Sequence, residues 1–210
     1  ISEINSKDGL KVDVGYFTIP GEHYAGVVRE LTIGNISKKP LDLEVADGLS
    51  VIVPCGVNNW FLKEMSRNIE AWMGVDNVSA GVPVFKLTTD ARDTAQIAFI
   101  KAANFYASFE AGKPCSSSKI VVDPLEIFGE VSDFSFPSEF VSQKNYKYPH
   151  KQVAKNKTPC AFTFVKKTLK KGDAVKLYSV VGHVFDVGDI KKYGIEKLNE
   201  GFIGKKRNEN

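Results

Sequence analysis

The sequence predicts a mostly β fold, an antiparallel two-sheet sandwich, and three observations predict it. Apolar and polar residues alternate over many short stretches, clusters of Gly, Pro, Asn and Asp separate those stretches, and one internal segment alone carries a strong helical period. Alternation marks a strand because successive side chains point to opposite faces of a sheet, so a half-buried strand is apolar at every second residue. About nine such stretches without helices between them favour antiparallel sheets, since parallel strands need long crossovers.

In the first stretch Leu10, Val12, Val14 and Tyr16 share a face, and Pro20 and Gly21 turn the chain. Residues 26–36 make a long strand with Val27, Arg29, Leu31, Ile33 and Asn35 on one side. Ser37, Lys38, Lys39 and Pro40 form a polar turn before Leu41, Leu43 and Val45 resume the alternation, so these two strands are expected to pair as a hairpin. After Asp47 and Gly48, residues 49–53 form an apolar run closed by Pro54, which predicts a strand covered on both faces. Further strands are expected at 84–89, 96–100, 104–109, 119–122, 160–165 and 174–183, the last two around a turn at 170–173. The aperiodic stretch 132–158 predicts a long loop.

From 58 to 73 the period changes. Phe61, Met65, Ile69 and Trp72 recur every three or four residues and so share one helical face, while Lys63, Glu64, Arg67 and Glu70 fall elsewhere. A helix over 59–73 is predicted, with its apolar stripe buried on a sheet, Asn58 or Asn59 capping its start and Gly74 supplying a left-handed end. Asp189 caps a second helical pattern through Ile190, Tyr193, Ile195 and Leu198. Residues 204–210 hold nothing apolar to bury and are expected to fray unless a further segment packs on them. The chain is therefore expected to divide into a sandwich domain, 1–188, and an unfinished helix, 189–210.

With 210 residues, 43% of them hydrophobic, the chain can bury a substantial core. Its 28 basic and 25 acidic residues leave a formal net charge of +3, too balanced for the electrostatic footprint that nucleic acid or an anionic membrane requires. Nothing approaches the roughly 18 consecutive apolar residues of a membrane span. Cys55, Cys115 and Cys160 are odd in number and form no CxxC pair, so they are expected to be reduced packing residues of a cytoplasmic protein.

No catalytic or metal-binding residue can be assigned from motifs. His23, His150 and His183 lack the spacing that brings two imidazoles to one zinc, and the chain has no nucleophile elbow, phosphate loop or dinucleotide fingerprint. The candidate substrate-binding residues are Asn58, Asn59 and Trp60. An aromatic face stacks on the apolar face of a pyranose, while side-chain amides hydrogen-bond its hydroxyls.

The segments 46–56 (Ala-Asp-Gly-Leu-Ser-Val-Ile-Val-Pro-Cys-Gly) and 65–73 (Met-Ser-Arg-Asn-Ile-Glu-Ala-Trp-Met), with Trp60 between them, carry a family resemblance. It continues in order through Asn104-Phe105-Tyr106, Val121-Val122-Asp123-Pro124, residues 156–162 and residues 177–183. Over nearly its whole length the chain resembles the N-terminal domain of cellobiose-phosphorylase-like enzymes, glycoside hydrolase family 94, especially the 1,2-β-oligoglucan phosphorylase group. Cys55 stands where the family pattern has an aromatic residue and Asn68 where it has Thr, which leaves the sugar linkage open.

The resemblance implies a galactose-mutarotase-like supersandwich with one inserted helix, followed in the parent by linker helices and an α-helical barrel that holds the catalytic acid. The parent would phosphorolyse β-linked gluco-oligosaccharides with inversion, using inorganic phosphate as co-substrate and no cofactor. The implied partners are the downstream barrel, a β-glucan oligosaccharide and a second copy of the parent in a homodimer. Two other roles use such a sandwich. One is a carbohydrate-binding module; the other is a mutarotase-like sugar epimerase, which would need His23 or His183 to meet a carboxylate in a pocket.

Overall fold

The computed structural model describes residues 1–92 and 95–209. Its strands are β1 (Ser2–Asn5), β2 (Leu10–Thr18), β3 (Ala25–Asn35), β4 (Leu41–Leu49), β5 (Met73–Asp76), β6 (Val84–Leu87), β7 (Ala103–Glu110), β8 (Ile120–Val121), β9 (Ala161–Leu169) and β10 (Ala174–Val184), of which β1 and β5 are not among the expected alternating stretches. Seven strands form one sheet in the order β1-β2-β3-β10-β7-β6-β5, and three form a smaller one, β4-β9-β8. All strand pairs are antiparallel, as the alternation predicts.

The two phases of alternation in the large sheet bury different surfaces. Leu31 and Ile33 of β3 and Val175 and Leu177 of β10 pack with Leu169 of β9, with Leu43, Val45 and Val165 around them, so this face closes on the smaller sheet. One residue out of phase, Val28, Phe105, Ala107, Tyr178 and Val180 pack against Ile190, Ile195, Leu198 and Ile203. The chain after β10 is thus a third layer. It consists of a short helix at Asp189–Lys192, a 3₁₀ turn at Ile195–Lys197 and a helix at Glu200–Asn208, the last capped by Asn199, whose Oδ1 accepts from Phe202 N at 3.1 Å.

This layer corrects two readings of the tail. Asp189 is the first residue of its helix and not its cap, and its Oδ2 accepts from Asp186 N instead. Residues 204–209 do not fray, because ion pairs substitute for apolar burial. Lys206 is buried, and its Nζ meets Pro20 O, Glu22 Oε1 and Glu209 Oε2 at 2.8, 2.8 and 2.9 Å. Arg207 Nη1 lies 3.0 Å from both carboxylate oxygens of Glu30.

The expected hairpin of β3 and β4 does not form. Both edges of β3 are occupied, by β2 and β10, so after its polar turn the chain crosses to the smaller sheet and pairs with β9 instead. The link from β9 to β10 makes the reverse crossing, and buried Asn35 ties the two corners together. Its Nδ2 donates to Lys39 O at 2.8 Å and Leu169 O at 2.9 Å, its Oδ1 accepts from Ser37 N at 2.8 Å, and its backbone bonds Asp173 and Gly172. Residues 50–54 are extended but unpaired as a strand, with Ile52 buried and Val51 and Val53 exposed, and 96–100 contributes only a single bridge, Thr89 to Phe99.

The helical segment lies where its period predicts but changes winding. A π turn over Phe61–Met65 gives way at Ser66, whose φ is 50°, to a 3₁₀ run over Ser66–Trp72. Asn58 Oδ1 accepts from Phe61 N at 2.9 Å at its start. Phe61 and Ile69 are buried with Met73 and Leu87, while Met65 and Trp72 are only partly covered. Gly74 ends nothing: Met73 passes straight into β5, where Gly74 pairs with Lys86. Within 132–158 the chain is largely irregular, with one short helix at Ser138–Ser142. No helix among the described residues is long and apolar enough to cross a membrane.

Candidate functional site

Asn58, Asn59 and Trp60 lie together on the surface at the start of the π turn. All three are exposed, Trp60 at 59%, and its ring meets only an edge of Phe61, centroids 5.5 Å apart. With Asn58 Oδ1 engaged by the helix, Trp60 and Asn59 carry whatever recognition this rim offers. They do not line the groove at the end of the sandwich.

One end of the sandwich is hollowed into a groove of about 420 Å³. It arises because β4 ends at Leu49, so beyond that point the face of the large sheet has no strand over it. Val27 of β3, Asn104 of β7 and Val181 and His183 of β10 form its floor, and Val51 and Val53 form its wall. Val27, Leu49, Val51 and Val53 remain exposed although they are apolar, and Phe185 beyond β10 is 76% exposed. Gly182 is required here. A Cβ at that position would stand 2.4 Å from Ala25 O and from the Phe105 ring, closer than any packing allows.

The polar groups of the groove are ordered by a short hydrogen-bond relay. Asn104 Nδ2 donates to Val53 O at 2.9 Å, so Oδ1 is the amide's free acceptor, and it stands 3.0 Å from His183 Nδ1. That contact places the proton of the neutral ring on Nδ1 and leaves Nε2 as an acceptor. The Phe185 ring stands edge-on to the imidazole at 5.5 Å. The groove therefore combines an apolar bed and one oriented acceptor, with an exposed aromatic ring beside that acceptor.

Beneath the groove's wall a polar chain crosses between the sheets. Tyr106 OH donates to Ser179 Oγ at 3.0 Å, Ser179 Oγ donates to Asp47 Oδ2 at 3.2 Å, and Asp47 pairs with Arg29, which also donates to Tyr16 OH at 3.2 Å. Ser108 Oγ lies 3.3 Å from Ser179 Oγ. Burial, with the Asp47 charge adding to it, pushes the Tyr106 phenol up to about 12, so it remains a donor. This cluster was invisible from the sequence, where Asp47 and Gly48 stand only as the residues before an apolar run, whereas both lie inside β4.

The remaining candidates are placed apart. His23 stacks on Tyr193, centroids 5.0 Å apart, and His183 bonds an amide; among the described residues neither is seen paired with a carboxylate of the kind an epimerase would use. Cys115 and Cys160 are buried, and burial raises all three thiols above their ordinary value, Cys115 to about 12. Among the described residues no three His, Cys, Asp or Glu side chains are grouped to hold a metal ion. Comparison with protein-family models and with curated proteins returns no match to this chain.

Proposed function

We propose that this chain is the non-catalytic N-terminal sandwich domain of a glycoside phosphorylase acting on β-linked gluco-oligosaccharides, and that its role is assembly and the shaping of the active site. In this reading a downstream barrel of the same cytoplasmic polypeptide performs inverting phosphorolysis with inorganic phosphate, and the sandwich groove receives part of that barrel.

One observation carries the proposal. The resembling segments 46–56, 104–106 and 177–183 are far apart in sequence, yet they meet at one end of the sandwich, where they supply most of the groove together with Asp47, Tyr106 and Ser179 beneath it. The other resembling segments, 65–73, 121–124 and 156–162, meet at a second hollow, so the likeness gathers at two faces, and this grouping supports a shared fold with the groove as one working face. The apolar, exposed character of Val51, Val53 and Phe185 suits a partner surface better than a small polar substrate. A second role, as a carbohydrate-binding module, draws support from the exposed pair Asn59 and Trp60.

The test is to incubate this chain and the longer polypeptide separately with sophoro-oligosaccharides and inorganic phosphate and to measure sugar phosphate. The chain alone should release none and the longer protein should release glucose 1-phosphate. Release by the chain alone overturns the non-catalytic assignment, and a longer protein inactive on every β-glucan overturns the family assignment.

A further inference from the structure

A second hollow, of about 580 Å³, opens between the 3₁₀ run at Ser66–Trp72, the short helix at Leu125–Phe128 with the loop after it, and the segment leading into β9. Each of its two cations is compensated, and Glu130 adds a further carboxylate to the lining. Glu70 Oε1 accepts from Thr158 Oγ1 at 2.8 Å, and its other oxygen lies 3.6 Å from Arg67. Lys157 Nζ meets Asp123 Oδ1 at 2.9 Å, and buried Asp123 is held in turn by the backbone N–H groups of Leu125 and Val153. With each cation beside an anion and Glu130 added to the lining, the cleft presents hydrogen-bond donors and acceptors but no net positive field, which disfavours a phosphate. Its apolar surface comes from Pro124, Leu125 and the half-buried ring of Phe134, which is backed by Phe128 at 5.0 Å.

The backbone around this cleft is strained in a pattern. Of the five non-glycine residues with positive φ among the described residues, Phe134 (55°) lines the cleft, and Ser66 (50°) and Asn156 (58°) immediately precede Arg67 and Lys157. An aromatic residue in the left-handed region is a costly outlier that persists only where its surroundings impose it, and such outliers cluster at ligand sites. We infer that this cleft is a binding site for a neutral hexose or short oligosaccharide, its apolar ring face on Phe134 and its hydroxyls on Glu70, Thr158, Arg67 and Lys157. Hydroxyls serve as donor and acceptor at once, which is what walls of paired opposite charges offer. Such a site would bind sugar whatever the parent protein catalyses.

The test is an amide-resolved NMR titration of this chain with sophorose and cellobiose, and in parallel with glucose 1-phosphate and glucosamine, each up to about 50 mM, the range where a single-ring contact is measurable. Shifts should centre on Arg67, Glu70, Phe134 and Lys157, and the neutral sugars should bind at least as tightly as the charged ones. Phe134→Gly, which removes the ring while suiting the positive φ, should weaken binding about tenfold, equivalent to about 1.4 kcal/mol. Arg67→Ala, at a side chain 84% exposed that cannot unfold the domain, should weaken it too. No shift with any neutral sugar, shifts confined to Trp60, tighter binding of a charged probe, or unchanged affinity in Arg67→Ala would each overturn the inference.

Discussion

Folding takes Asp47 almost entirely out of water, and it is tolerable there only because Arg29, Ser179 and, through it, Tyr106 converge on it. No local pattern reveals this, because Ser179 is 132 residues away along the chain. The capping role of Asn58, by contrast, was legible, because its partner is three residues on. Buried tyrosines give a pH dependence with a definite sign. Burial raises Tyr24, Tyr106 and Tyr146, Tyr106 to about 12. The unfolded chain releases these protons near pH 10 while the folded chain retains them, so above that pH the unfolded state binds fewer protons and stability falls as pH rises. Below it these groups contribute no pH dependence. Tyr106 alone should remove about 1.4 kcal/mol at about pH 11. Denaturant midpoints measured across this range should fall, with phenolate absorbance from these rings appearing together with unfolding; titration of all three in the native protein at the ordinary value would contradict their burial.

Most of the longer strands were legible one by one, since a face such as Val12 and Val14, or Val175 and Leu177, announces itself every second residue, whereas β1 was missed and 49–53 and 96–100 form no strand. Their partners were not. The residues Ser37 to Pro40 suit a hairpin and a sheet-to-sheet corner equally, and what decides between them is that β2 and β10 already occupy both edges of β3. β5 is only four residues long and follows a helical stretch without a break, so it merged with the helix in the sequence pattern. The helical stripe was read correctly in direction but not in depth. A shift to 3₁₀ winding after Ser66 rotates later side chains, so Ile69 is buried while Trp72 is only partly covered. Ile69→Ala should therefore cost roughly 2–5 kcal/mol, whereas Trp60→Ala should stay within about 0.5 kcal/mol. Thermal or denaturant unfolding of the two variants measures this directly, and equal losses would refute the assigned packing.

At the scale of the whole molecule, mostly β architecture followed from counting alternations, but the third layer did not. Ile190, Ile195, Leu198 and Ile203 are spaced irregularly because a short helix, a 3₁₀ turn and a second helix, not one long helix, deliver them to the large sheet. The groove was equally hidden, since it is made by the ending of β4 over a sheet whose floor comes from Val27, Asn104 and His183. That groove is the proposed docking face for the catalytic region, and hydrogen exchange tests this most directly. This chain would be compared alone and mixed with the separately expressed downstream region of the same polypeptide. Slowed exchange at the amides of Val51, Val53 and Phe185 in the mixture is the predicted result. A complex that leaves those amides unprotected, or no complex at all, would contradict it.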